Sequence, residues 1–227
     1  MVLLHALPFD GRMWSDADRE VSERPLVPDL FRLGTAVTDW AGEVVAMAGS
    51  EELIVVGSSV GGSCALEMAH YAPEQVAAIV LIGAKASVRP DPGNRDQAIR
   101  VLETQGMEIA WNTYWAPIFG TSTPAAVLST ARDIALSQDV AEVVNGVRAF
   151  HNRRDLTEFA AAWRKPFVAI SGDQDQTPPL SASRPLGQGP RRRFEVIEDC
   201  GHYVNLEQPK RFQSLLSDIV SAIPGYL

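Results

Sequence analysis

An apolar run that passes directly into a glycine-framed pair of serines constrains this chain more than any other feature. Residues 53–57 read Leu-Ile-Val-Val-Gly, residues 57–61 read Gly-Ser-Ser-Val-Gly, and small residues continue through 61–65. The apolar run predicts a buried strand, and the small residues predict a helix packed closely against it. A turn this sharp needs glycine where side chains would otherwise collide. Only Ser59 has glycine two residues away on both sides, because valine stands at both of those positions around Ser58.

The residues around this turn supply candidate donors for an oxyanion. The bare glycine-serine pattern arises by chance in roughly one chain in a dozen of this length, so its place between strand and helix matters. A helix points its first N–H groups at a carbonyl bound before it, so Val60 is one candidate donor. A second is expected in the loop after an earlier strand. That loop follows the apolar run Val2–Leu4 and reaches Pro8, which has no N–H, so Leu7 is the candidate.

Short apolar runs alternate with helical patterns, which is typical of an α/β fold with a mostly parallel sheet flanked by helices. About six strands are predicted: Val2–Leu4, Pro25–Val27, Leu53–Gly57, Ala77–Gly83, Phe167–Ser171 and Arg193–Ile197. The predicted helices among them are Val37–Met47, Gly61–Tyr71 and Pro209–Ile223. Residues 86–163 are mostly helical in character and too long for a simple crossover. We expect a helical lid there, with 1–85 and 164–227 as the core.

Two further loops that follow predicted strands carry titratable side chains. Asp173 and Asp175 follow one strand, and His202 follows the next. The carboxyl ends of parallel strands meet at one edge of a sheet, where such folds gather their chemistry. Histidine can take and return a proton near neutral pH, and a carboxylate can orient it. Glu198 and Asp199 are weaker candidates for that carboxylate because they adjoin the histidine in sequence.

The motifs together resemble those of the α/β-hydrolase superfamily. His5-Ala6-Leu7-Pro8 is similar to the His-Gly-X-Pro segment of that family, with alanine in place of glycine, and Gly172–Asp175 is similar to its Gly-x-x-Asp turn. The resemblance implies Ser59 as nucleophile, then Asp175 rather than Asp173 as acid, then His202 as base, in the family's chain order. It implies that His5 shapes its loop and is no base. The chain would also lack the family's first two strands, since Val2–Leu4 matches the third.

The resemblance leaves the substrate open, because this fold hosts many reactions. Residues 146–157 resemble the lid end of hydrolases related to oxoadipate enol-lactonases. We expect a serine hydrolase cleaving small carboxylic esters or lactones through an acyl-enzyme. The alternatives are a carbon–carbon bond hydrolase or cofactor-free haloperoxidase on the same triad, or a ligand-binding or signalling protein with little turnover. Trp111 and Trp115 are candidates either to line a substrate pocket or to pack the lid on the core. His70 and His151, on helical patterns, are expected at the surface or in packing.

Composition narrows the partners. A formal net charge of −8 argues against nucleic acid, whose phosphates need clustered Lys and Arg. Cys64 and Cys200 form neither a disulfide framework nor a metal-type spacing, and no nucleotide-type glycine loop is present, so we expect no metal and no cofactor. No signal peptide and no apolar stretch of about 20 residues is found, which predicts a cytoplasmic protein without membrane contact. The expected partner is a small-molecule substrate, and the oligomeric state stays open.

Overall fold

Five parallel strands organise residues 1–88 and 90–223, the part of the chain that the computed structural model describes. The strands are β1 (Val2–Leu4), β2 (Leu53–Ser58), β3 (Val76–Ile82), β4 (Phe167–Gly172) and β5 (Arg192–Ile197). They pair in the order β1-β2-β3-β4-β5, each neighbouring pair parallel. All residues of β1 to β4 are buried, so both faces of the sheet are covered, while the edge strand β5 is partly exposed. The predicted α/β class with a parallel sheet is confirmed.

The predicted strand Pro25–Val27 is wrong. Within this run only Leu26 pairs, in a single parallel bridge to Val2. The prolines at both sides, Pro25 and Pro28, have no N–H and cannot extend a hydrogen-bonded ladder. The described sheet therefore has five strands where the sequence predicts about six.

The helices largely follow the predicted pattern. They are α1 (Asp16–Arg19), α2 (Val37–Ala48), α3 (Val60–Tyr71), α4 (Pro92–Ala110), α5 (Ala125–Leu136), α6 (Val140–Asn152), α7 (Thr157–Ala162), α8 (Leu180–Ser183), α9 (Val204–Glu207) and α10 (Pro209–Ser221). In α10 the apolar stripe that predicted the helix is buried, from Phe212 to Val220, and Pro209 stands at its first position. Within the described ranges, none of the helices has the length and apolarity needed to cross a membrane.

Residues 86–163, called the insertion below, lie between β3 and β4 and contain α4 to α7. The two ends of the insertion meet, because the Leu156 N–H donates to the Ala86 carbonyl at 3.1 Å. The Asp155 carboxylate accepts from the Val88 N–H beside this contact, at 3.0 Å. A π-helical turn, Trp111–Trp115, follows α4 directly. The insertion is thus a helical segment that leaves and rejoins the core at one place, and its function as a lid stays a prediction.

The carboxyl ends of the strands carry the residues that the sequence singled out. The His5–Pro8 loop follows β1, Ser59 follows β2, and Gly83 follows β3. Asp175 lies in the loop after β4, and His202 lies in the loop after β5. Because the strands are parallel, all of these loops lie at the same edge of the sheet.

Candidate active site

Ser59 occupies a strained turn between β2 and α3. Its φ of 53° and ψ of −114° lie outside the regions that side chains favour, and such a backbone costs on the order of 1–3 kcal/mol. The Ser59 N–H donates to the Ile82 carbonyl at 2.8 Å, which ties the turn to β3. A Cβ at Gly57 would collide with the Gly61 carbonyl, and a Cβ at Gly61 would collide with the Leu4 carbonyl. These close approaches are the physical reason for both glycines.

The two adjacent serines face different surroundings. Ser58 ends β2 and is fully buried, and its hydroxyl has no hydrogen-bond partner among the described residues. Ser59 is partly exposed and lines a cavity of about 780 Å³. Of the two, only Ser59 can meet a bound molecule in that cavity.

The structure brings His202 and Asp175 together. The imidazole Nδ1 lies 2.9 Å from Asp175 Oδ2, and the side chains are 2% and 1% exposed. The other carboxylate oxygen accepts from the Thr177 N–H at 2.7 Å. Asp173 points elsewhere, since its carboxylate accepts from the Cys200 N–H at 3.1 Å. The structure therefore places Asp175, and not Asp173, against the imidazole.

This contact leaves the other imidazole nitrogen available for chemistry. An ionised carboxylate only accepts hydrogen bonds, so this contact favours the imidazole tautomer with the proton on Nδ1 and the lone pair on Nε2. His202 lines the same cavity as Ser59. Across the described residues, no hydrogen bond joins the Ser59 hydroxyl to the imidazole. Catalytic contacts are often loose without a substrate and tighten when one binds.

A buried carboxylate holds the loop that carries His202. Glu207 Oε2 accepts from the Gly201 N–H at 2.9 Å, the Gly120 N–H at 2.7 Å and the Thr123 hydroxyl at 2.7 Å. Its Oε1 accepts from the Tyr203 N–H at 3.0 Å. Four hydrogen bonds thus compensate the burial of this charge and join the insertion to the histidine loop. The sequence pattern did not indicate this role of Glu207.

The predicted oxyanion donors, Leu7 and Val60, belong to two of the loops at this edge of the sheet. Leu7 lines the cavity, and its carbonyl accepts from the buried Tyr203 hydroxyl at 2.8 Å. Val60 begins α3 and is fully buried. Neither the Leu7 N–H nor the Val60 N–H donates to an acceptor among the described residues. Their role as oxyanion donors stays a prediction.

The insertion supplies the remaining wall of the cavity. Trp115, Tyr114 and Phe150 line it, among others. Trp111 does not: it is 3% exposed and packs against Phe9 and Phe119, with ring centroids 6.1 and 5.8 Å away. The prediction that Trp111 lines the pocket is therefore wrong. Trp111 instead packs the insertion on the core, which was the alternative left open from the sequence.

The remaining histidines divide between packing and the cavity. His5 is fully buried, its Nε2 accepts from the Leu30 N–H at 2.9 Å, and burial lowers the pKa of His5 to about 4. His70 is exposed and contacts Phe159. His151 lines the cavity, which the sequence did not indicate, and burial lowers its pKa below the ordinary value. Among the residues described, no cluster of His, Cys, Asp and Glu could hold a metal ion.

The chain belongs to the alpha/beta hydrolase family, whose sequence model matches residues 1–214. It is accordingly an enzyme of the alpha/beta hydrolase class. Among its relatives, Lipase LipV of Mycobacterium tuberculosis is 34% identical over 95% of this chain and 91% of the lipase. A pimeloyl-[acyl-carrier protein] methyl ester esterase of Cronobacter sakazakii is 24% identical over 93% of this chain and 89% of the esterase.

Solved structures share the fold over nearly the whole chain. A thermophilic esterase from Thermogutta terrifontis superimposes with a TM-score of 0.89 at 22% identity, covering 98% of this chain and 89% of the esterase. An enol-lactonase from Burkholderia xenovorans superimposes with a TM-score of 0.86 at 21% identity, covering 97% and 90%. Other relatives are named as carbamate hydrolases and as hydrolases of 2-hydroxymuconate semialdehyde, a range of names that leaves the substrate class open.

Proposed function

We propose that this protein is a serine hydrolase that cleaves small carboxylic esters or lactones through an acyl-enzyme intermediate. The observation that carries the proposal is the strained Ser59 turn on the same cavity as the buried His202–Asp175 pair. Relatives named as esterases and a lipase support it. The cavity of about 780 Å³ is large enough for a small ester or lactone.

In the proposed reaction, His202 Nε2 takes the hydroxyl proton as Ser59 Oγ forms a bond to the ester carbonyl carbon. The carbonyl oxygen becomes an oxyanion and accepts from the N–H groups of Leu7 and Val60. Asp175 holds the imidazole tautomer and stabilises the imidazolium. The carbon–oxygen bond to the alcohol then breaks, and the alkoxide leaves with the proton from Nε2. A water molecule, deprotonated by the same nitrogen, hydrolyses the acyl-enzyme and releases the acid.

The nucleophile is tested with two neighbouring variants. Ser59→Ala should lower kcat for p-nitrophenyl acetate by about 10⁴- to 10⁶-fold, because a covalent nucleophile is lost. Ser58→Ala removes a buried hydroxyl without a described partner and should cost far less. Intact-mass measurement after fluorophosphonate treatment should show one adduct on the wild type and on Ser58→Ala, and none on Ser59→Ala.

Two outcomes would contradict the proposal. Equal kcat losses in both variants would mean that Ser59 is not the nucleophile. Labelling of Ser59 without steady turnover of any ester or lactone would instead indicate a ligand-binding protein on this fold.

A further inference from the structure

A guanidinium on the insertion wall of the cavity forms no ion pair with the described residues. Arg153 directly follows α6 and lines the cavity together with Phe150 and His151. Its Nη1 donates to the Phe150 carbonyl at 2.5 Å, and its Nη2 lies 3.4 Å from the Ser87 carbonyl. No carboxylate of the described residues forms an ion pair with it. Backbone carbonyls hold its N–H groups, and the Asp155 carboxylate acts on its charge without forming an ion pair with it.

Neighbouring arginines in the insertion, unlike Arg153, pair with carboxylates. Arg154 forms two hydrogen bonds to the buried Glu67 carboxylate, and Arg148 lies 3.4 Å from Glu103. A partly buried charge without an ion-pair partner is costly, and burial lowers the pKa of Arg153 to about 10, although nearby Asp155 opposes this shift. The guanidinium still carries its proton at neutral pH, so the cavity presents a positive charge that an anion would compensate.

The surroundings of Arg153 favour an anionic ligand. The guanidinium carbon lies 4.0 Å from the centroid of the Phe150 ring, and the N–H groups that do not donate to the Phe150 and Ser87 carbonyls remain for a ligand. A carboxylate matches the fork of a guanidinium with two parallel hydrogen bonds. Among the described lining residues, Lys85 adds a second positive charge and Asp91 a negative one. The Asp91 carboxylate accepts from the Asn94 N–H at the start of α4 and keeps its negative charge. In a chain with a net charge of −8, two cationic side chains against one carboxylate in the described lining are an exception.

We propose that Arg153 binds an anionic group of the substrate, so that the preferred substrates carry a carboxylate away from the bond that is cleaved. Half-esters of short dicarboxylic acids and carboxylated lactones have this chemistry. Ser59 and His202 lie on the same cavity, whose volume of about 780 Å³ holds both ends of such a molecule. The inference rests on the proposed function for its reaction and adds the class of substrate.

The kinetic test compares monomethyl glutarate with dimethyl glutarate, in which the carboxylate is replaced by an uncharged methyl ester. Arg153→Gln should lower kcat/KM for the half-ester by about 10- to 100-fold, mainly through KM, because a charge-assisted pair is lost. The loss for the diester should be several-fold smaller. The matched control Arg148→Gln lies in α6 and away from the cavity lining, and it should leave the ratio of the two esters as in the wild type.

The ratio of kcat/KM for the half-ester to kcat/KM for the diester also defines the outcomes that would overturn the inference. Equal losses for both esters would mean that Arg153 only caps the last turn of α6, and the inference would be overturned. A wild type without preference for the half-ester would overturn it as well. Should Arg153→Gln not fold, Arg153→Lys keeps the charge but not the fork, and it should still lower the ratio several-fold. Methyl 4-phosphonobutanoate carries a phosphonate in place of the carboxylate. A higher kcat/KM for it than for the half-ester would contradict the proposal that Arg153 binds a carboxylate.

A binding experiment separates failure of this inference from failure of the proposed function. In Ser59→Ala, monomethyl glutarate is titrated against tryptophan fluorescence, since Trp115 lines the cavity. Adding Arg153→Gln should raise its Kd about 10- to 100-fold. Arg153-dependent binding without ester turnover in the wild type would sink the proposed function alone. Turnover that depends on Ser59, with binding indifferent to Arg153, would sink this inference alone.

Discussion

The two walls of the cavity are held in different ways. On the sheet wall, the Ser59 N–H bonds to β3 at 2.8 Å, Gly57 and Gly61 leave no room for side chains, and His202 meets a buried carboxylate. On the insertion wall, side chains of the helix α6 and of the turn Trp111–Trp115 meet the cavity. Backbone geometry tolerates few substitutions, whereas a wall of side chains can change residue by residue. We therefore expect the sheet wall to carry the reaction and the insertion wall to select the substrate.

The largest expected effect tests the sheet wall. Asp175→Asn should lower kcat by about 10⁴-fold for every ester alike, because the amide favours the wrong tautomer and cannot stabilise the imidazolium. Asp173→Asn is the matched control, since Asp173 bonds the Cys200 N–H and not the imidazole. The measurement is kcat for charged and neutral esters with both variants. An Asp175→Asn loss that differs from one ester to another would break the division between the two walls.

A smaller effect is expected where the walls are joined. Arg154, from the insertion, pairs with Glu67, a buried residue of α3. Arg154→Ala should lower the free energy of unfolding by about 3 kcal/mol, because it leaves a buried carboxylate unpaired. Urea denaturation measures this, and Arg148→Ala, which removes an exposed pair, should change stability by less than about 1 kcal/mol. Equal changes in the two variants would mean that the junction adds nothing to stability.

The smallest effect compares a histidine of the core with one of the insertion. Burial lowers the pKa of His5 to about 4, so the unfolded chain takes up a proton there near pH 6.5 while the folded chain does not. The stabilisation is complete above pH 6.5 and is lost as pH falls towards 4, about 2 kcal/mol of it between pH 7 and pH 5. His5→Gln, which can still accept from the Leu30 N–H, should remove this dependence in urea midpoints. His151 is only partly buried, and His151→Gln should remove less; the reverse order would contradict the assignment.

The sheet wall could be predicted from the sequence because the residues that shape it lie close together along the chain. Strands buried on both faces appear as apolar runs, and the glycines around Ser59 are required within five residues of chain. The insertion wall depends on contacts between distant segments. Nothing near Arg153 or His151 indicates that they line the cavity, and Trp111 and Trp115 look alike in sequence although only Trp115 does. Fold class follows from periodicity, whereas the direction of a side chain on a helix follows from what packs around it.

The four hydrogen bonds of Glu207 also limit how substrate can enter. Gly120 and Thr123 of the insertion share this carboxylate with Gly201 and Tyr203 of the histidine loop. Moving the 120–123 segment outward would leave a buried carboxylate without two of its hydrogen bonds, and it would pull on the loop that carries His202. We therefore expect the 120–123 segment to stay in place when a molecule enters the cavity. Asp91, His151 and Arg153 line the cavity outside this held segment, so a bound molecule meets charged or titratable groups on the part of the wall that Glu207 does not hold.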